Sequence, residues 1–490
     1  MRLFRMNSGQ ARLRLVQAGA AFAAAALVAG CGSQYRPVVT PINPSGPPAQ
    51  PTSYAVVVSV PSPTSPGIAT VIDYAGDTVM AKSPIGPGPL TFTLDQTGSS
   101  GYTINSDGTL TNFPASKDLQ AKLVNYTTLA TIARPVNLFS PSAGLWVPDL
   151  NGNQIDVFSG SPQTFKLAIP VAPTPVIVLG PGQIGQRNYA LTLNFTDPTG
   201  VACNASPHTL AQNGEVDTLE VASNTVSARI PVGVCPVFAL ESPDTRRLFV
   251  LNRGSDTVTV INGQNNTLDA CTPFTNQSGQ LVTCHPSLPL STAAGLVGAN
   301  APAVAGPVYA EYNAATSQLI VADYEGRSVT VIDVSLDEYG NDSPTFGTTF
   351  TIPVGNNPAS VTALVDGSRA YTANQADGSV TIVNLASHTV EKTLAVIGHP
   401  RSVASTMNSL YGKVYVAAPD SPYLTVIRTD QDIVDTTVLV EGNILDVRVT
   451  TQNAVSGNSN VQSRRPGYGQ PCTLPGPAAE ANLASCQAMP

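Results

Sequence analysis

Charge and catalytic side chains are both scarce in this chain. Only 11% of its 490 residues are Asp, Glu, Lys or Arg, the net charge of −8 comes without an acidic run, and no Lys/Arg cluster follows residue 30. Nothing there could neutralise a row of phosphates, so no nucleic-acid partner is expected. Histidine occurs 4 times and tryptophan once. Gly-x-Ser-x-Gly, His-Glu-x-x-His and a phosphate-cradling Gly-rich loop are all missing, which removes the usual hydrolase, zinc-protease and nucleotide-binding signatures. No two cysteines stand at Cys-x-x-Cys spacing and only His285 adjoins a cysteine, which disfavours a zinc site. Asp149-Leu-Asn-Gly-Asn-Gln-Ile-Asp156 alternates oxygens as a calcium loop does. It carries Gln154 where the turn glycine belongs and Gly160 where a bidentate glutamate belongs, so it reads as a polar turn.

What the chain does have begins at its start. Arg2, Arg5, Arg12 and Arg14 precede an uncharged, Ala-rich stretch from Leu15 to Gly30, the pattern of a signal peptide, too short to be a lasting transmembrane helix. Its end, Leu27-Val-Ala-Gly-Cys31, resembles the lipobox of bacterial lipoproteins. The resemblance implies cleavage before Cys31, lipid on its sulfur, and a protein tethered to the cell envelope. Gly32, in place of the aspartate that holds lipoproteins at the inner membrane, implies the outer membrane. A Pro/Ser/Thr-rich spacer follows, giving an expected division into leader 1–30, linker 31–53, folded domain 54–450 and a peripheral Pro/Gly-rich tail 451–490. The 40 glycines and 42 prolines point to a turn-dense β protein without long helices.

A unit of about 45 residues recurs through the domain. The clearest copy is Asn357-Pro-Ala-Ser-Val-Thr-Ala-Leu-Val-Asp-Gly-Ser-Arg-Ala-Tyr-Thr-Ala-Asn-Gln-Ala-Asp-Gly-Ser-Val-Thr-Ile-Val-Asn384. A Pro-led strand, a tight turn, a strand ending in Asn or Asp, a polar turn and a Val-Thr-Val-Ile-Asp strand make four short strands per unit, a propeller blade. Marker strands at 68–73, 108–113, 154–158, 215–221, 257–262, 328–333, 379–384 and 423–428 predict eight blades; the weak 108–113 segment leaves seven as the alternative. The extra strand Ile444-Leu-Asp-Val-Arg-Val-Thr450 is expected to complete the N-terminal unit and close the ring.

Tyr371-Thr-Ala-Asn374 with Ser379-Val-Thr-Ile-Val-Asn384, Phe249-Val-Leu-Asn252 with Thr257-Val-Thr-Val-Ile-Asn262, and Thr351-Ile-Pro-Val-Gly355 resemble the YVTN-type β-propeller repeat. The match is strong from Val234 to Leu439 and looser from Tyr54 to Val232, with Leu145-Trp-Val-Pro-Asp149 and Leu319-Ile-Val-Ala-Asp323 as departures. It implies an all-β propeller of exported or surface location, and a binding role more than a reaction.

In such a blade the loops entering the first strand and those joining the second to the third share one face, where propeller ligands sit. These loops carry Arg253, Tyr324, Glu325, Arg327, Gln375, His399, Arg401 and Asp420, the candidate ligand contacts, which also suit ordinary tight turns. Tyr309, Phe249, Tyr371 and Tyr415 read as packing between blades, at matching positions. Seven cysteines less Cys31 leave six, an even number suited to an oxidising compartment. Six cysteines admit 15 pairings; proximity selects Cys203 with Cys235, Cys271 with Cys284 and Cys472 with Cys486. The first would pin the insertion Phe195 to Asn213 over the channel mouth, and the second would staple the insertion Gly263 to Gly306, expected on the opposite face. Neither a cofactor nor a metal site is expected, since one tryptophan is too few for a quinone floor and a triad built on His399 and Asp420 lacks its nucleophile elbow. The expectation is a lipid-anchored binding or scaffold module for an envelope protein or polysaccharide. Its rivals are a structural module without a small ligand, and a hydrolase or lactonase-like enzyme whose channel metal would need Asp323, Glu325, Asp377 and Asp420 to converge.

Overall fold

The structure, a computed structural model, describes residues 53–62, 65–130, 133–140, 144–180, 187–196, 203, 210–293, 301–406 and 409–450. The expected leader, the spacer up to residue 52, the tail and Cys472 with Cys486 lie outside them. The regular secondary structure of the described residues is all strand except for one short 3-10 turn at Ala121–Leu123.

Eight antiparallel sheets form a propeller ring, each running from an innermost strand near the axis to an outer edge. Blade 1 combines Asn443–Val449, innermost, with Tyr54–Val60, Pro66–Asp73 and Val79–Pro87. Blade 2 spans Pro89–Leu94 to Asn125–Thr128. Blade 3 has Leu145–Asp149, Gln154–Ser159 and Thr164–Pro170, its inner position taken by bridges from Pro135 and Phe139. Blade 4 runs from Pro175–Leu179 to Thr225–Val234, blade 5 begins at Pro236–Glu241, and blade 6 runs from Pro307–Asn313 to Thr349–Pro353. Blade 7 runs from Pro358–Ala363 to Thr389–Ala395 and blade 8 from Ser402–Ser405 to Ile433–Leu439. All eight sequence markers are third strands, including 108–113, so the count is eight. The C-terminal strand pairs with Tyr54–Val60, and Thr450 N donates to Tyr54 O at 2.9 Å, closing the ring without a free inner edge.

The Pro-led entry has a repeated physical basis. Gly88, Thr174, Cys235, Gly306 and Asn357, each just before a proline, take left-handed φ of 49°, 60°, 49°, 64° and 54°. The chain arrives from the rim and must reverse sharply into the next inner strand; a left-handed residue makes the reversal, and proline fixes the following φ while needing no partner for a missing N–H. In all five blades the ladder then shifts register immediately after the proline.

In four blades the end of the second strand is also encoded. Asn252 Nδ2 donates to Thr257 and Thr259 hydroxyls at 3.1 and 2.8 Å, Asn374 Nδ2 to Ser379 and Thr381 at 3.1 and 2.8 Å, and Asn105 Nδ2 to Thr109 and Thr111 at 3.0 and 2.7 Å. This is why an Asn is followed by Ser/Thr-x-Thr. Blade 6 uses Asp323, which accepts from Ser328 and Thr330.

Phe249, Tyr371 and Tyr415 occupy one equivalent second-strand position and are fully buried. Tyr309 corrects the expected matching set: it lies on the inner strand of blade 6, its ring tilted against Phe238 at 4.7 Å between centroids, and Ile320 fills the equivalent site. Two residues before each aromatic a cation reaches a carboxylate of the next blade. Arg247 meets Asp342, Arg369 meets Asp432 and Lys413 meets Asp77; the Tyr371 and Tyr415 hydroxyls bond the last two acids.

Candidate functional site

The face bearing the strand-entry and second-to-third-strand loops holds the candidate residues, and half of them are inside the loops rather than on them. Arg253, Tyr324, Gln375 and Arg401 are all buried; Glu325, Arg327, His399 and Asp420 are partly exposed. The cause is local. Arg253, Tyr324 and Gln375 each follow the strand-ending Asn or Asp, and their backbone N–H groups bond Cys235, Gly306 and Asn357 carbonyls at 2.9, 2.9 and 3.0 Å. Their side chains are thereby turned in beneath the loops.

Arg253 joins three elements. Its Nη1 donates to Cys203 O at 2.7 Å, and Nε and Nη2 donate to Glu325 of blade 6. Cys203 and Cys235 form the expected disulfide, Cα–Cα 5.6 Å, with both residues buried. Tyr324 donates to Gln375 Oε1 at 3.2 Å, linking blades 6 and 7. His399 N and Nδ1 both contact the Asp420 carboxylate, the first at 2.8 Å. Arg327 is placed by its turn: it takes the left-handed position, φ 53°, that Asp256 (50°) and Gly378 (60°) hold in blades 5 and 7.

Arg401 lies within electrostatic reach of Asp446, Tyr324 and Asp420. Burial nonetheless weakens its hold on the proton, to about 10. Asp446 also accepts from Ser402 and, at 3.0 Å, from Arg448 Nε, while Arg448 Nη2 donates to Phe92 O at 3.3 Å. Polar inner-strand contacts thus pass from blade to blade: Glu311 to Ala363 N, Ser360 to Arg401 O, Ser402 to Asp446, Arg448 to Phe92 O. Sequence reasoning missed Asp446 and Arg448. Their signal was available, two opposite charges two apart on the innermost strand, where neighbours carry small or apolar groups.

The four carboxylates that a channel metal would need do not converge. Asp323 is bonded inside its blade, Glu325 to Arg253, Asp377 to Asn356 N and Nδ2 at 2.6 and 2.7 Å, and Asp420 to His399. Among the described residues no group of three His, Cys, Asp or Glu side chains is placed to hold a metal ion.

No family model matches the chain, and no curated protein matches it. Solved structures do. Apo AztD from Citrobacter koseri is similar over 81% of this chain and 97% of its own, at 12% identity and TM-score 0.53. The dihydro-heme d1 dehydrogenase NirN in complex with DHE is similar over 84% of this chain and 78% of its own, at 17% identity and TM-score 0.54. The likeness is one of fold. Chemically, the polar groups of the mouth bond one another: Arg253 with Glu325 and Cys203 O, Tyr324 with Gln375, and His399 with Asp420.

The second insertion departs from its expected place. Thr267–Leu268 and Ser287–Pro289 both pair with the third strand of blade 5, so residues 269–286 interrupt its outer strand and leave from the rim. Cys271 and Cys284 are joined, Cα–Cα 5.5 Å.

Proposed function

We propose that this is a lipid-anchored envelope lipoprotein of YVTN-repeat type that binds an envelope protein or polysaccharide at its disulfide-pinned mouth. The observation that carries the binding role is Arg253, which fixes blade 5, Glu325 of blade 6 and the Cys203 insertion in one arrangement. Preorganised polar groups lower the ordering cost of association. The anchoring half rests on Leu27-Val-Ala-Gly-Cys31 and the uncharged stretch before it, and Gly32 supports the outer membrane. The separate partners of Asp323, Glu325, Asp377 and Asp420 weigh against the metal-hydrolase alternative. The test is an affinity pull-down of the tagged protein from solubilised envelopes, beside Cys31→Ala and Arg253→Gln. A stoichiometric partner that Arg253→Gln loses supports the reading. A partner held equally by Arg253→Gln, or none by any form, overturns the mouth as the binding surface. Fractionation of Cys31→Ala with soluble proteins supports the anchor; retention with membranes removes it.

A further inference from the structure

The rim of blade 5 carries more ionisable groups than ring assembly requires. In blades 7 and 8 a single carboxylate of the next blade receives the cation, Asp432 for Arg369 and Asp77 for Lys413, with Glu391 of blade 7 itself 4.0 Å from Arg369 and Lys392 bonding the Asp432 carbonyl. Between blades 5 and 6 the same anchor has four members. Arg247 Nη2 lies 2.9 Å from Asp342 Oδ1 and 3.4 Å from Asp269 Oδ1, and His285 Nδ1 is 2.8 Å from Asp342 Oδ2. Arg247, Asp269 and Asp342 are buried, and the His285 ring stacks on Phe346 at 5.3 Å. The two added groups, Asp269 and His285, stand just outside the Cys271–Cys284 bridge at either foot of the excursion 269–286. They attach a disulfide-closed unit to blade 5 through Arg247 and to blade 6 through Asp342.

We propose that the excursion 269–286 is an acid-tightened clasp, held against the loop 337–342 of blade 6 most firmly in acid and loosened as the medium approaches neutrality.

Two buried carboxylates share one guanidinium, and Asp269 Oδ2 is buried with no hydrogen-bond partner among the described residues. A proton there removes the repulsion between carboxylates and the cost of burying a second charge. The other charges on the packed elements have partners of their own, two of them across the clasp itself. Asp244 pairs with Arg246 at 3.8 Å; Asp337 takes Asn276 Nδ2 at 3.2 Å, and Glu338 takes Ser278 Oγ at 3.0 Å. Burial raises the Asp269 carboxyl from 3.8 to about 6, Arg247 opposing the shift and Asp342 adding to it. The closed clasp therefore keeps a proton that the open form has shed, so raising the pH from about 4 to about 6 favours opening, by up to about tenfold per unit. Above 6 both forms are ionised at Asp269 and its contribution is constant.

The experiment is amide hydrogen exchange on the intact, disulfide-bonded protein across pH 4.5 to 7.5 in roughly unit steps, corrected for intrinsic rates. Protection of residues 267–289 is expected to fall by up to about tenfold per unit until about pH 6 and then level, whereas a loss of global stability through Asp323 would go on toward pH 8. Asp269→Asn is expected to flatten the profile, and Glu441→Gln, whose carboxylate pairs with Lys82 away from blade 5, to leave it as in the parent. Constant or rising protection below pH 6 in the parent, or an unchanged fall in Asp269→Asn, overturns the clasp. If Asp269→Asn fails to fold, Asp342→Asn serves: it removes the neighbouring carboxylate and should move the fall to lower pH, and an unmoved fall counts against the proposal.

Discussion

At the scale of the residue, Asp323 shows how a repeat position becomes a titrating group. Asn252 and Asn374 hold the equivalent place in blades 5 and 7 and donate to hydroxyls of the third strand. Asp323 can only accept there while ionised, and complete burial raises its carboxyl from 3.8 to about 8, with Ser328 and Thr330 opposing and Asp256 and Glu325 adding. The folded chain holds a proton that the unfolded chain has lost between those values. Stability is therefore full below about pH 4 and falls as pH rises toward 8, by up to about 1.4 kcal/mol per unit from this group alone. Asp323→Asn is expected to remove that loss, with its urea midpoint at about pH 8.5 above the parent's and the gap shrinking toward pH 5. An equal midpoint at both would show that Asp323 is ionised when folded. The strand-ending Asn or Asp was legible in the sequence as a repeat signature. That it is dry was not, since burial depends on the adjoining blade.

At the scale of the element, blades are joined by anchors that no single blade contains. Arg369 and Asp432 are 63 residues apart, and Lys413 and Asp77 are 336 apart, so neither pair has a local sequence signal. Lys413 Nζ donates to Asp77 Oδ2 and Tyr74 O at 2.6 and 2.7 Å with its side chain 5% exposed. Lys413→Met leaves Asp77 and the Tyr415 hydroxyl without their cation and is expected to cost about 3 to 5 kcal/mol. Denaturant unfolding measures it. Adding Asp77→Leu should recover part of that loss, because the stranded charge is gone; a double variant as unstable as the sum of the singles would mean the pair is not coupled. The strand-entry prolines, by contrast, were legible. A left-handed residue followed by proline constrains only its own backbone, so local chemistry suffices.

For the whole molecule, closure and the mouth decide stability. Removing Asn443–Val449 takes the innermost strand from blade 1 and exposes its edge, so a chain ending at Val440 is expected to aggregate on mild heating where the parent remains monodisperse by size-exclusion chromatography. Cys203→Ser with Cys235→Ser releases a loop of sequence separation 32, with an expected loss near 3 to 4 kcal/mol by chain entropy, and should also weaken partner capture through Arg253. The amino-acid sequence by itself determined the four-stranded unit, its repetition in eight or seven copies, the completion of the first blade by the last strand, and two disulfide pairs, because period, turn chemistry and short separations are local quantities. Only the tertiary structure decided that Arg253, Tyr324, Gln375 and Arg401 lie inside the mouth, that Asp446 and Arg448 join them from the far end of the chain, and that the second insertion leaves from the rim. Those outcomes depend on which surfaces neighbouring blades cover, and burial, with the charge pairing it demands, exists only once the ring is closed.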